Sequence, residues 1–344
     1  MERRSFLKQA AAAVAGLTVR GVGAQAKLDG AAAHIPLPAV STVNGIGRRK
    51  LGRADVEVSI IGIGGYHMGL KSVSEADGIR VVRRALDEGI NFLDNCWDYN
   101  DGVSEERMGK ALQDGYRQKA FLMTKIDGRT GASARQQLEQ SLVRLKTDHI
   151  DLLQIHEVIR MGDPEQAFEA GKVVEVLKQA RQEGKIRYIG FTGHKSPEIH
   201  LHMIETADKQ GFTFDTVQMP VNALDQHFDS FQQKVIPAAQ KRGMAVLGMK
   251  PLANGAIPKT NTVSAAEALH YAMSVPVTVT INGCQSMADL EQALGVARNF
   301  KPMDEQQKVA VLEKTAPVAM AGKFELYKSS QIYDGTAINP KWLG

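Results

Sequence analysis

Residues 91–105 read NFLDNCWDYNDGVSE. An apolar run, Phe92 and Leu93, ends in the carboxylate of Asp94, and the phenol of Tyr99 follows beside Cys96 and Trp97. Two later apolar runs also end in ionisable groups: FLMTK in Lys125 and DLLQIH in His156. A free phenol titrates near pH ~10, too high for good proton transfer near neutrality. A neighbouring ammonium stabilises the phenolate and lowers that value. Asp and Lys are rarely buried unless paired, so Asp94 is expected to hold Lys125 charged and in place. Tyr99 can then pass a proton to a carbonyl oxygen, with His156 orienting that carbonyl by hydrogen bonding.

These groups converge only if the three apolar runs are neighbouring strands, ~4.8 Å apart, that end on one face. From residue 61 the chain repeats one unit: a short apolar run, a polar helix, a glycine, then another apolar run. Gly89, Gly115, Gly184, Gly211 and Gly243 sit where helices should stop, as glycine takes the left-handed cap conformation at little cost. Ile79, Val82 and Leu86 in one helix, and Leu138, Leu142 and Leu145 in another, follow the 3.6 period. The strands IIGIGG, INFLDN, AFLMTK, IDLLQIH, IRYIGF, FDTVQM, MAVLGM and VTVTING lack alternation, as expected when both faces are buried. Repeated β–α units of this number predict an α/β fold, a (β/α)8 TIM barrel, with catalytic groups at the C-terminal strand ends. The competing open doubly wound sheet lacks its G-x-G-x-x-G signature at Gly62–His67.

With Asp94, Tyr99, Lys125 and His156 in this order on these strand ends, the chain resembles the aldo-keto reductase superfamily. RRKLGRADVEVSIIGIGG resembles that family's opening hairpin and first strand, DGVSEERMGKAL its second helix, and SLVRLKTDHIDLLQIH its third helix and fourth strand. The resemblance covers residues 48–300 and implies a barrel with an N-terminal β-hairpin cap and an extra C-terminal helical segment. It also implies hydride exchange between NADPH, less often NADH, and a small aldehyde, ketone or alcohol, with Tyr99 as general acid/base. Thr192 and Gln218 would hold the nicotinamide carboxamide. Met249 stands where the family has an aromatic stacking partner, and Gly193 where it has an asparagine, whose contact is lost or moves to His194. Gly64, Gly65, Lys250, Leu252, Gly255 and Gln285 complete the expected cofactor contacts. The eighth strand's loop carries Asn282, Gln285 and Ala288 instead of the usual cation for a 2′-phosphate. NADP is the first expectation and NAD the second. Trp97, His67 and Glu157 are placed in the substrate pocket.

Residues 1–26 join a charged start, ERRSFLK, to a short apolar stretch and Ala24-Gln25-Ala26. They read as a cleavable export signal of twin-arginine type, hence a periplasmic protein. The apolar run is far below the ~20 residues that span a bilayer. Residues 27–47 read as a linker, 48–300 as the barrel, and 301–344 as a helical extension and tail. The formal net charge is +4, but Arg3, Arg4, Lys8 and Arg20 lie in the signal against Glu2 alone, which leaves no basic patch for nucleic acid.

Cys96 and Cys284 exclude a disulfide framework and any Cys-x-x-Cys motif, although one disulfide fits an oxidising compartment. His34, His149, His200, His202, His227 and His270 show no metal-ligand spacing, so no metal is expected. His200 and His202 should face different sides of a helix. Two other functions fit the residues less well. A Schiff-base lyase on Lys125 is opposed by Asp94, since a paired ammonium is a poor nucleophile. A non-catalytic dinucleotide-binding subunit is favoured by Gly193 and Met249 and opposed by the intact four. No heptad sets an oligomeric state.

Overall fold

The N-terminal sheet begins with a turn the sequence states directly. Asn44 and Gly45 both have positive φ (50° and 79°), the Asn-Gly hairpin geometry whose twist matches its flanking strands. The protein is described from a computed structural model over residues 39–344. The export signal expected over residues 1–26, and most of the expected linker, lie outside the described residues. The end of that linker is in fact structured. β1 (Ser41–Val43), β2 (Ile46–Lys50) and β3 (Glu57–Ser59) form an antiparallel sheet in that order.

Leu51 and Val58 of this cap are fully buried and pack with Phe92, Phe121, Leu152, Leu247 and Val279. The cap therefore plugs the end of the barrel where the strands begin. Arg49 fixes it there by donating to the carbonyl of Val277 at 2.5 Å.

The barrel strands are β4 (Ile61–Gly64), β5 (Phe92–Asp94), β6 (Phe121–Ile126), β7 (Ile150–Ile155), β8 (Ile186–Thr192), β9 (Thr216–Pro220), β10 (Ala245–Met249) and β11 (Val279–Gly283). They are parallel and close in chain order, with β11 pairing β4. Each matches an apolar run read from the sequence. Gly89, Gly115, Gly184, Gly211 and Gly243 all have φ between 61° and 100°, the left-handed conformation expected at helix ends. Helix Gly131–Leu145 buries Leu138, Leu142 and Leu145 as its period requires.

After helix Glu305–Thr315 the chain becomes short turns that run over the catalytic end of the barrel. The carbonyl of Leu343 accepts from the Arg129 and Thr130 amides at 2.9 and 3.2 Å. Asp334 pairs with Lys195 at 2.8 Å, and the Glu157 carboxylate accepts from the Gly335 and Thr336 amides at 2.8 and 2.6 Å. Among the described residues no helix is long and apolar enough to cross a membrane.

Candidate active site

Register decides which side chains meet. Gly64 lies beside Asp94, and Lys125 beside Gln154, so β4–β7 finish at one level. There Lys125, 1% exposed, donates to Asp94 Oδ1, to the Asn95 carbonyl at 2.7 Å and to the Tyr99 hydroxyl at 3.2 Å. Its Nζ also lies 4.7 Å from the Tyr99 ring centre. The expected ion pair is present, and the phenol sits on it. Burial acts against the Lys125 charge, but Asp94 and Tyr99 outweigh it and raise its pKa.

One expectation is corrected here. Lys125 does not lower the Tyr99 pKa below its ordinary value; burial dominates and raises it, with Lys125 opposing. The hydroxyl is therefore a firmly protonated donor near neutrality. The pair also leaves Lys125 a poor amine nucleophile.

His156 stands against Tyr99 with ring centres 6.0 Å apart. Its Nδ1 is 2.8 Å from Asp127 Oδ1, 3.3 Å from Cys96 Sγ and 3.7 Å from Asp98 Oδ1. Burial disfavours its charge, but the Asp127 and Asp98 carboxylates prevail and its pKa is raised. Asp98, just past β5, is pushed up to about 6, chiefly by burial, with His156 opposing.

These groups open on a cavity of about 660 Å³. Of the expected cofactor and substrate contacts, Gly64, His67, Glu157, Thr192, Met249, Lys250, Leu252, Gly255 and Gln285 line it. Glu157 and Lys250 do so in the left-handed conformation (φ 46° and 55°), the kind of strain that collects at functional sites. Lys250 is pushed down to about 8 by desolvation and then by Lys125. His194, expected beside the cofactor, also lines the cavity, as do Tyr66, Asp98, Asp289, Ile332 and Tyr333, which were not foreseen.

Two assignments change, and a third residue is engaged in part. Trp97 faces away from the cavity: its Nε1 donates to Gln140 at 2.7 Å and its ring meets Trp342 edge-on at 5.9 Å. Gly65 is buried against the end of β5, where a Cβ would strike the Asp94 carbonyl and Asn95. Gln218 does not open on the cavity with its amino group, which donates to Asp94 Oδ2 at 2.7 Å. Gly193 cannot carry the asparagine of the resemblance, because a Cβ would collide with the Val158 carbonyl and crowd His200. Its contact does not pass freely to His194, whose Nε2 lies 3.2 Å from Asp334.

Cys96 and Cys284 are buried free thiols, not a disulfide. His200 contacts the Gln218 carbonyl while His202 pairs with Glu165, so the two diverge as expected.

Two buried atoms fit a nicotinamide carboxamide. Thr192 Oγ1 and Gln218 Oε1 have no hydrogen-bond partner, and their residues are neighbours across β8 and β9. A buried unpaired acceptor costs ~1–3 kcal/mol, so such a pair invites a ligand amide. Asp98 and Asp127 could have been found by listing every carboxylate near a strand end. Tyr333 and Asp334 carried no such signal.

The sequence profile of the Aldo/keto reductase family matches residues 60–267. The chain is 30% identical over 225 residues to YrpG of Bacillus subtilis (strain 168), named as an uncharacterized oxidoreductase, covering 60% of this chain and 66% of YrpG. It is 30% identical over 226 residues to L-galactose dehydrogenase of Arabidopsis thaliana, covering 60% of this chain and 66% of that enzyme. The chain thus spans about two thirds of the length of these relatives. Its fold resembles that of an aldo-keto reductase from Bacillus halodurans solved in holo form, with TM-score 0.66, 24% identity, and coverage of 78% of this chain and 96% of that one. These relationships support a redox enzyme.

Proposed function

This chain belongs to the Aldo/keto reductase family, and we propose that it exchanges hydride between a nicotinamide dinucleotide and the carbonyl or alcohol carbon of a small molecule, with Tyr99 as general acid/base. A nicotinamide held at Thr192 and Gln218 would supply or accept the hydride. In reduction, the Tyr99 hydroxyl gives its proton to the carbonyl oxygen as that oxygen gains negative charge. Lys125 keeps positive charge 3.2 Å from the phenol oxygen, where the resulting phenolate needs it. Asp94 keeps Lys125 in place, and His156 directs the carbonyl. The observation that carries this reading is the Asp94–Lys125–Tyr99 chain ending at the wall of a cavity shared with His156.

NADP is the family's first expectation, with NAD beside it. The rim offers Gln285 and the carboxylate Asp289 and includes no arginine among the described residues, which argues for testing both. Purified protein is titrated separately with NADPH and NADH, following protein and nicotinamide fluorescence. Binding of either, followed by turnover of a carbonyl panel that Tyr99→Phe abolishes without weakening dinucleotide binding, supports the proposal. Binding without turnover of any carbonyl or alcohol would favour a dinucleotide-binding subunit. Failure of folded protein to bind either dinucleotide would overturn the proposal.

We also propose export through the twin-arginine route with the dinucleotide loaded beforehand. Arg3→Lys combined with Arg4→Lys should retain the protein in the cytoplasm on fractionation. Unchanged export would refute the route.

A further inference from the structure

The ends of β5, β6 and β7 bring together a second set of groups around His156 Nδ1. We propose that Cys96, Asp98, Asp127 and His156 form a binding site for one divalent transition metal ion of the zinc class. One donor atom from each residue lies within 4.8 Å of all the others. Sequence spacing gave no metal motif, because the ligands come from the ends of three different strands.

The donor set has the chemistry of such a site. Thiolate, imidazole and carboxylate are zinc's ordinary ligands, at ~2.3, ~2.0 and ~2.1 Å. Ligands at those distances around a tetrahedral ion lie roughly 3.3–3.7 Å from one another. His156 Nδ1 is already 3.3 Å from Cys96 Sγ and 3.7 Å from Asp98 Oδ1. Its 2.8 Å approach to Asp127 is a hydrogen bond whose proton an ion would replace.

Hydrogen bonding within the cluster leaves oxygen unsatisfied. Nδ1 has one proton to give, yet two carboxylates face it. Asp98 Oδ1, the oxygen turned toward Nδ1, is enclosed and has no hydrogen-bond partner. Asp127 is fully buried and its Oδ2 is likewise unpartnered. Each is an orphan of the kind folded proteins avoid unless something binds there.

The backbone around the cluster is also fixed. Arg129, fully buried, donates to the carbonyls of Asp127, His156 and Glu157 at 2.7, 2.6 and 3.1 Å, which ties the ligand-bearing ends of β6 and β7 together. Its charge also offsets the anionic ligands.

Binding releases the Cys96 thiol proton to solvent and places the single imidazole proton of His156 on Nε2. That tautomer donates from Nε2, as a residue orienting a carbonyl must. Here His156 is both a metal ligand and a positioning residue. The metal site itself does not depend on the proposed reaction.

The test is a titration of the metal-stripped full protein with Co²⁺, read by absorbance, and with Zn²⁺, read by competition. One equivalent of Co²⁺ should produce the intense visible bands of a four-coordinate ion and a near-ultraviolet thiolate-to-cobalt band. Cys96→Ser should remove the near-ultraviolet band, and Asp127→Asn should weaken binding by more than ~10-fold. Absence of stoichiometric Co²⁺ and Zn²⁺ binding by the wild type would overturn the proposal, as would a thiolate band surviving in Cys96→Ser. The wild-type spectrum needs no variant to fold, and it needs neither dinucleotide nor carbonyl, so its failure is separate from failure of the redox reading.

Discussion

Gln218 Nε2 donates to Asp94 Oδ2 at 2.7 Å, while Asp94 Oδ1 receives Lys125. One carboxylate thus joins the proposed carboxamide-holding glutamine on β9 to the ion pair beneath Tyr99. Gln218→Leu should leave a buried carboxylate oxygen unpaired, at a cost of ~1–3 kcal/mol in stability. It should also weaken dinucleotide affinity and slow turnover together. Chemical denaturation and fluorescence titration check this; loss of affinity at unchanged stability would mean that the bond to Asp94 carries no weight.

Removing one member of the buried pair should cost more than removing both. Lys125→Met strands the Asp94 charge and is expected to destabilise by ~3–5 kcal/mol. The double variant Lys125→Met with Asp94→Leu should recover much of that stability but none of the activity. A double-mutant cycle by urea unfolding measures the coupling.

Gly193 is a steric requirement. Restoring an asparagine there drives its Cβ into the Val158 carbonyl and His200. Gly193→Asn should therefore lower stability by ~1–3 kcal/mol rather than tighten dinucleotide binding. Tighter binding at unchanged melting temperature would show that the loop yields.

The tail should act on substrate and not on the dinucleotide. Ile332, Tyr333 and Gly335 line the cavity, and Glu157 holds the last of these through the Gly335 and Thr336 amides. In Glu157→Gln the side-chain amino group must face one amide hydrogen, and that anchor weakens. KM for the carbonyl should rise several-fold with dinucleotide affinity unchanged; equal loss of both would place Glu157 in the dinucleotide site.

Glu325 gives the tail a pH dependence. Burial, then Asp225, push its carboxyl up to about 7, against the pull of Lys328. A folded-state value above the ordinary ~4.3 means that stabilisation is full below that pH and is lost as pH rises through about 7. Hydrogen exchange over residues 320–344, corrected for the intrinsic base-catalysed rate, should therefore quicken between pH 5 and 8, roughly the span of this titration. Glu325→Gln should flatten that rise; an identical rise in the variant would assign it to another group.

The sequence by itself determined the barrel and the four groups on it. Those features are local: each strand is an apolar run, each helix ends on its glycine, and strand ends are where a parallel barrel presents chemistry. The Asn44-Gly45 turn is equally local, although it lies inside the stretch whose composition reads as a linker. Only the tertiary structure decided how distant segments meet. The turn of Trp97 toward Trp342, the joining of Gln218 to Asp94 and the tail over His194 all depend on contacts between residues far apart in the chain. The rise in the Tyr99 pKa has the same origin, since Lys125 could be foreseen but the extent of burial could not. Local pattern reports what a segment can form, whereas burial and pairing belong to the assembled surface around it.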